Sequence, residues 1–156
     1  MKGAFGMNIL ELSRYIIKQY HLKDKTITNL KLQKILYYIQ GYFFKKRGKE
    51  AFKEEIYCWP YGPVVKEAYF EYNGYGARDI SVSECDFKTD LNEISKLDKK
   101  CIDEVISKTF EKSAFELVNQ THLEAPWRDA HDGKIIPKDT IEMFFNFEDP
   151  LKIRNN

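Results

Sequence analysis

The chain has 156 residues, of which 43% are apolar, 15% aromatic and 31% charged, a composition typical of one globular domain. With 25 Lys and Arg against 24 Asp and Glu, its net charge of +1 gives no overall attraction to nucleic acid or anionic lipid. The 11 Phe, 10 Tyr and 2 Trp supply enough buriable surface to exclude an intrinsically disordered chain.

Two helices are predicted in the first third of the chain. Asn8 is a suitable N-cap, and apolar residues then recur at helical spacing, which predicts a helix over about 8–20. Thr28 caps a second helix over 28–47, which ends in three cations and Gly48, a typical C-terminal signal. Because the second helix carries the longest apolar stripe, we expect it to be the centre of the fold.

A small β element and a third helix follow. Residues 52–59 alternate loosely and are rich in aromatic and β-branched types, which predicts a strand. Residues 61–63 form a turn, and Pro63 is predicted to occupy the first turn of a third helix that ends at Asn73. Residues 79–84 are predicted to form a second short strand.

The second half of the chain is predicted to be helical. A fourth helix carries Ile102 and Phe110. Ser113 and Glu116 form a capping box that begins a fifth helix with Phe115 directed inward. Pro126 and Pro137 are predicted as first-turn prolines of two further short helices. The expected fold is mainly α, a single compact domain of six to seven helices around a long central helix with a small β element. We assign the domain to 8–148 and tails to 1–7 and 149–156.

The cysteines favour a cytoplasmic location. Cys58, Cys85 and Cys101 are odd in number and include no close pair, which is typical of a reducing compartment. The first residues lack the apolar run of a signal peptide, and no stretch approaches the roughly 18 apolar residues of a membrane span. We therefore expect no membrane partner.

Known catalytic and metal-binding patterns are not found in the sequence. His122, Glu124 and His131 are the most plausible metal ligands by residue type, but their spacing matches no known site, which favours structural histidines. There is no G-x-S-x-G nucleophile elbow and no Gly-rich phosphate loop. The sequence therefore predicts no enzymatic activity, no cofactor and no metal.

A basic ridge on the second helix leaves a nucleic-acid-binding function open. The ridge contains Lys31, Lys34, Lys45, Lys46, Arg47 and Lys49. Beside Tyr37 and Tyr42, these cations could contact phosphates. The alternative, which we favour, is a solvated helix face whose last cations complement the negative end of the helix dipole.

Three segments together resemble the Panacea domain, the SocA-like and GepA-like antitoxin family of bacterial and phage genomes. The first, I-T-N-L-K-L-Q-K-I-L-Y-Y-I-Q-G at 27–41, departs from the family pattern only in Ile35, where Leu is usual. The second is W-P-Y-G-P-V-V at 59–65, in which Pro60 fills a variable position. The third is T-H-L-E-A-P-W at 121–127. The three occur in the family's order.

The resemblance implies an antitoxin without enzymatic activity that neutralises a cognate protein toxin, typically encoded next to it, by direct contact. In the SocA-like branch the antitoxin also acts as an adaptor that hands its toxin to a cellular protease. A nucleic-acid-binding regulator of such an operon is the alternative function. The sequence does not specify the oligomeric state.

The residues expected to bind the partner come from the three segments. They are Lys31, Gln33, Lys34, Gln40, Tyr61, His122 and Trp127. The polar residues of the central helix are either exposed contacts or ordinary solvated side chains. Trp59 and Trp127 are expected mainly to pack against the turns that they adjoin, and His122 to cap or bridge the fifth and sixth helices. On this basis Tyr61→Ala and Lys34→Glu would weaken neutralisation without loss of stability.

Overall fold

A computed structural model describes residues 6–81, 91 and 93–153 of the chain. Within these residues the fold has seven α-helices and three short strands, which confirms the mainly helical single domain. The elements are α1 (Ile9–Leu22), α2 (Asn29–Arg47), β1 (Ile56–Trp59), β2 (Gly62–Val64), α3 (Lys66–Tyr72), α4 (Lys96–Thr109), α5 (Ala114–His122), α6 (Ala125–Arg128), β3 (Ile135–Ile136) and α7 (Lys138–Phe147). No helix in the described part is long and apolar enough to cross a bilayer.

Helix α2 is the centre of the fold, as its apolar stripe predicts. It contacts α1, α3, α4, α5, α7 and β2. The Thr28 side chain accepts a hydrogen bond from the amide of Lys31, and Gly48 adopts the left-handed conformation at φ 67°. Every residue from Leu32 to Phe43 is buried. A helix enclosed on this many sides has no solvated face, so its polar residues must find partners inside the protein.

The three strands form one antiparallel sheet in the order β2-β1-β3. Pro63 lies in β2 opposite Cys58, so its predicted place in the first turn of a helix is wrong. The physical reason is that β2 is an edge strand, where a proline without an N–H is tolerated. The third helix begins three residues later, at Lys66.

An aromatic cluster joins α2 to α7. The Phe145 ring is fully buried, and its centroid lies 5.6, 6.2 and 5.2 Å from those of Tyr37, Tyr38 and Tyr42. Gly41 allows this approach, because a Cβ atom there would lie 2.1 Å from the ring of Phe145. The two helices therefore meet at a contact that requires glycine on one side and a large ring on the other.

Residues 149–153, which the sequence assigns to a tail, lie against the core. Leu151 and Ile153 are buried. Asp149 accepts a hydrogen bond from the Tyr42 hydroxyl at 2.5 Å, and that hydroxyl accepts one from the amide of Leu151 at 2.8 Å. This segment is therefore packed on α2 rather than separate from the domain.

Other local predictions have mixed outcomes. The Ser113 and Glu116 capping box is present, with both reciprocal bonds at 3.0 and 3.2 Å. Phe115, expected to face inward, is 63% exposed, whereas Val118 of the same helix is buried.

Pro137 precedes α7 instead of lying in its first turn. Of the strand expected at 79–84, Asp79 forms only an isolated bridge to Thr28, and 82–84 lie outside the described residues.

Candidate partner-binding site

The three segments singled out in the sequence meet at one place in the fold. Two side chains of α2 hold the backbone at the end of β2. Gln33 Oε1 accepts from the amide of Val65, the residue after the strand, at 3.0 Å, and Lys34 Nζ donates to the carbonyl of Pro63 at 3.0 Å. On the other side, Trp127 Nε1 in α6 donates to the carbonyl of Trp59 in β1 at 2.8 Å. The hairpin of β1 and β2 is therefore held between α2 and α6.

Lys34 is a fully buried lysine at the base of this hairpin. Burial lowers the pKa of its amine to about 7. Gly62, at φ 110°, has no side chain because a Cβ atom there would lie 2.6 Å from Lys34 Cε and 2.9 Å from Thr121 Oγ1. The amine, the turn glycine and the threonine of α5 thus occupy one tightly filled space.

Glu124 is a buried carboxylate at the junction of α5 and α6. It accepts hydrogen bonds from the hydroxyls of Tyr37 and Tyr38 at 3.0 and 2.9 Å. Burial raises its pKa to about 7, although the two hydroxyls partly offset the shift by stabilising the charged form. Burial also raises the pKa of both tyrosines, so they remain hydroxyl donors at all ordinary pH values. The third segment is thereby attached to the middle of α2.

His122 and Trp127 stack on each other beside Glu124. Their ring centroids are 3.9 Å apart with an interplanar angle of 18°. The half-buried histidine has its Nε2 atom buried without a hydrogen-bond partner among the described residues. As expected, His122 bridges the join between the fifth and sixth helices, and it does so through its ring face.

The hairpin and helix α3 carry four aromatic side chains that are exposed or half-buried, which we call the aromatic surface: Trp59, Tyr61, Tyr69 and Phe70. Tyr61 at the hairpin tip and Phe70 of α3 are 63% and 58% exposed. The Trp59 ring lies 4.9 Å from that of Tyr69 and 6.4 Å from that of Phe70. Short helix α3 buries only Ala68, so its aromatic residues remain on the outside.

Four of the predicted partner-binding residues are buried, so the expectation that they face solvent is wrong. Lys31, Gln33, Lys34 and Gln40 are at most 7% exposed. Gln40 bonds the backbone of Ala51 and Phe52, and Lys31 Nζ lies 4.7 Å from the centroid of the Tyr20 ring, where its pKa falls to about 8 through burial. These side chains therefore contact other parts of the protein interior instead of a partner.

The basic ridge expected along α2 is likewise not a free surface. Arg47 and Lys49 form ion pairs with Asp98 at 2.7 and 2.8 Å. Lys45 donates to the carbonyl oxygens of Phe145 and Glu148 at 3.0 and 3.2 Å. Together with the burial of Lys31 and Lys34, these contacts remove the continuous face that the ridge requires.

The sequence does not predict the aromatic surface as a unit. Tyr61 was expected at the surface and is exposed, and Trp127 packs against a turn as expected. Nothing in the sequence distinguishes Tyr69 and Phe70 from a buried pair, since the adjacent Tyr37 and Tyr38 of α2 are both fully buried. The sequence indicates Glu124 only as a candidate metal ligand. Within the described residues no three His, Cys, Asp or Glu side chains cluster closely enough to hold a metal ion.

The two buried titratable groups give the stability a specific pH dependence. Because the pKa of Glu124 is raised to about 7, the folded protein binds more protons than the unfolded chain between pH 4.5 and 7. The contribution of Glu124 to stability therefore falls as pH rises from 4.5 to 7. Because the pKa of Lys34 is lowered to about 7, the unfolded chain binds more protons than the folded protein between pH 7 and 10.5. The contribution of Lys34 to stability therefore rises as pH increases from 7 to 10.5. Their combined contribution is therefore smallest near pH 7.

We expect the Glu124→Gln variant to reveal the first half of this dependence. Its free energy of unfolding, measured by urea denaturation at a series of pH values, should rise relative to that of the unsubstituted protein as pH increases from 4.5 to 7. Glutamine keeps the acceptor oxygen but cannot ionise. A difference between the two proteins that is constant with pH would contradict the raised pKa.

Comparison with known proteins gives one match. The family model described as "Antitoxin SocA-like, Panacea domain" matches residues 32–128, a span that includes most of α2, the whole hairpin and the α5–α6 junction. No curated protein and no solved structure matches the chain. The matched span contains every residue of the aromatic surface.

Proposed function

Because the chain belongs to the SocA-like Panacea antitoxin family, we propose that it binds a cognate protein toxin and neutralises it by direct contact. The proposal requires no catalytic step. Buried Cys58 and Cys101 are free thiols, which is consistent with action in the reducing cytoplasm. The gene of the toxin is expected next to that of this chain.

The observation that carries the proposal is the aromatic surface. Tyr and Trp are enriched among the residues that contribute most to protein–protein binding, because they bury a large area at a low cost in side-chain entropy. The rings of Trp59, Tyr69 and Phe70 contact one another, and Tyr61 lies two residues after Trp59 at the tip of the hairpin. Tyr61 and Phe70 are more than half exposed. Exposed aromatic clusters on a single domain mark interaction sites.

The side chains beneath the aromatic surface favour binding because they reduce the conformational entropy that the hairpin loses when a partner binds. Gln33 and Lys34 fix the backbone of β2, and Trp127 fixes that of β1. Tyr61 follows Pro60 in the two-residue loop between these strands, where the ring of proline restricts φ. A loop that is already rigid loses less conformational entropy when a partner binds.

We expect Tyr61→Ala to weaken toxin binding at least about tenfold, and Tyr61→Ala combined with Phe70→Ala to abolish rescue of growth. The midpoint of thermal unfolding should change little, since both side chains are mostly in solvent. The test is co-expression of the neighbouring gene with each variant, together with a binding measurement on the purified proteins.

Phe147→Ala provides the matched control, because Phe147 is 83% exposed on α7 and lies outside the aromatic surface. It should rescue growth like the unsubstituted protein. Equal loss of rescue in the control and in the Tyr61→Ala variant would refute the assignment of the surface. A neighbouring gene that never affects growth would leave the antitoxin function without support for this chain.

The antitoxin can neutralise the toxin by occlusion, in which it covers the toxin's active surface, or by delivering the toxin to a protease. These two modes predict different levels of toxin in the cell. We propose occlusion, because a rigid aromatic surface is sufficient for it. In co-expressing cells the toxin should then remain at a steady level while growth is restored. A toxin that disappears only when this chain is present, and is retained when the cellular protease is deleted, would instead establish delivery.

A further inference from the structure

A cleft away from the aromatic surface concentrates positive charge. It has a volume of about 620 Å³ and lies between the last turn of α2, helix α4 and residues 152–153. Six cations line it: Lys45, Lys46, Arg47, Lys100, Lys108 and Lys152. Glu104 is the only carboxylate in that lining. We call it the cationic cleft, and since the whole chain carries a net charge of only +1, the rest of the chain is net negative.

The positive charge continues along α4. A second, shallower cleft shares Lys100, Glu104 and Ser107 with the first. It adds Lys96 and Lys99, with Asp103 as its further carboxylate. The two clefts together make a band of cations that follows the outer side of the helix.

Structural contacts account for only part of this band. Arg47 pairs with Asp98, and Lys45 bonds carbonyl oxygens at the end of α7. Lys46 and Lys100 lie 3.7 and 3.9 Å from the carboxylate of Glu104, and Lys99 lies 4.0 Å from that of Asp103. Lys108 and Lys152 are exposed, and neither forms an ion pair among the described residues. Cations that line one cleft repel one another, which lowers stability unless an anion binds between them.

The backbone holds Lys152 in the lining of the cleft. Lys152 adopts φ 58°, the left-handed region that side chains with a Cβ atom rarely occupy. Its neighbours Leu151 and Ile153 are both buried, so the backbone is anchored on either side while the lysine lies in the cleft lining.

We propose that the cationic cleft binds the phosphate backbone of duplex nucleic acid without reading its sequence. Nucleic-acid interfaces are polar and strongly positive, whereas lysine is depleted from protein–protein interfaces. The linings of both clefts contain no aromatic side chain on which a base could stack. Lysine ammonium groups instead suit phosphates, which they contact as point charges regardless of base sequence.

The proposal is tested with a short fluorescein-labelled duplex DNA of arbitrary sequence and the purified full chain. Binding should weaken as salt increases, with the logarithm of the affinity falling linearly with the logarithm of salt concentration. The double variant Lys100→Glu and Lys108→Glu should bind at least about tenfold more weakly and lower the salt slope by about two. Both residues are outside the core, and the variant should still neutralise the toxin.

The matched control is Lys23→Glu with Lys134→Glu, which makes the same change in net charge at two exposed lysines outside both clefts. The control should keep most of the affinity. Three results would overturn the proposal: no binding at low salt, equal losses in both double variants, or equally tight binding of poly-glutamate, which would indicate an acidic protein as the ligand. None of these results alters the toxin-binding test, because the aromatic surface is a different part of the molecule.

Discussion

Replacing Phe145 with alanine is expected to lower the free energy of unfolding by about 3–5 kcal/mol, the range for removing a fully buried aromatic ring. Phe145 is 0% exposed and lies among the rings of Tyr37, Tyr38 and Tyr42. The ring occupies the space that Gly41 leaves open, so its removal creates a cavity between α2 and α7. Urea denaturation measures the loss directly.

Phe147→Ala is the control for this experiment, since it makes the same chemical change on the same helix at a site that is 83% exposed. It should change stability by less than about 0.5 kcal/mol. A second control uses Gly41→Ala, which alone should cost about 1–3 kcal/mol by overpacking. When it is combined with Phe145→Ala, the total loss should be smaller than the sum, because the cavity accommodates the added methyl group. Strict additivity would contradict the direct contact.

Lys34→Glu should destabilise the protein by at least about 3 kcal/mol, and it is expected to prevent folding at neutral pH. The side chain is fully buried, and its only hydrogen-bond partner among the described residues is the carbonyl oxygen of Pro63. A carboxylate at this position would be an uncompensated buried charge facing that oxygen. Circular dichroism and thermal unfolding of the purified variant provide the measurement.

Lys34→Met separates the effect of charge from that of shape. Methionine fills a similar volume without a polar group, so it removes the cost of burying the amine while leaving the Pro63 carbonyl oxygen without its donor. These effects oppose each other, and we expect the methionine variant to be much closer in stability to the unsubstituted protein. If the glutamate variant were as stable as the methionine variant, Lys34 would have to face solvent.

The sequence predicts the helices well because their signals are local. Thr28 and Gly48 bound α2, and Ser113 with Glu116 begins α5, through contacts within a few residues. The same reasoning failed for Pro63, because whether a proline lies in a helix or an edge strand depends on the partner strand. It also failed for residues 149–153, where the apolar residues are too few to show a period.

The site was harder to predict because burial is a property of the whole fold. The polar residues of α2 suggested a solvated face, and only the placement of β2 shows that Gln33 and Lys34 bond a backbone about thirty residues away. Gln33, Lys34 and Trp127 of the three segments support the hairpin through hydrogen bonds to its backbone. Exposed Tyr61 could be anticipated from its turn, whereas the grouping of Trp59 with Tyr69 and Phe70 required the position of α3.

The attachment of residues 149–153 to α2 has a consequence for how the protein folds. The bonds from the Tyr42 hydroxyl to Asp149 and Leu151 join positions 107 and 109 residues apart. Closing so long a loop carries an entropic cost that local helix formation does not repay, so folding should be slower than that of a bundle with only neighbouring contacts. During synthesis, the segment at 149–153 that packs on α2 is added only after almost the entire chain has been made. Until then, the helix remains available to chaperones and proteases.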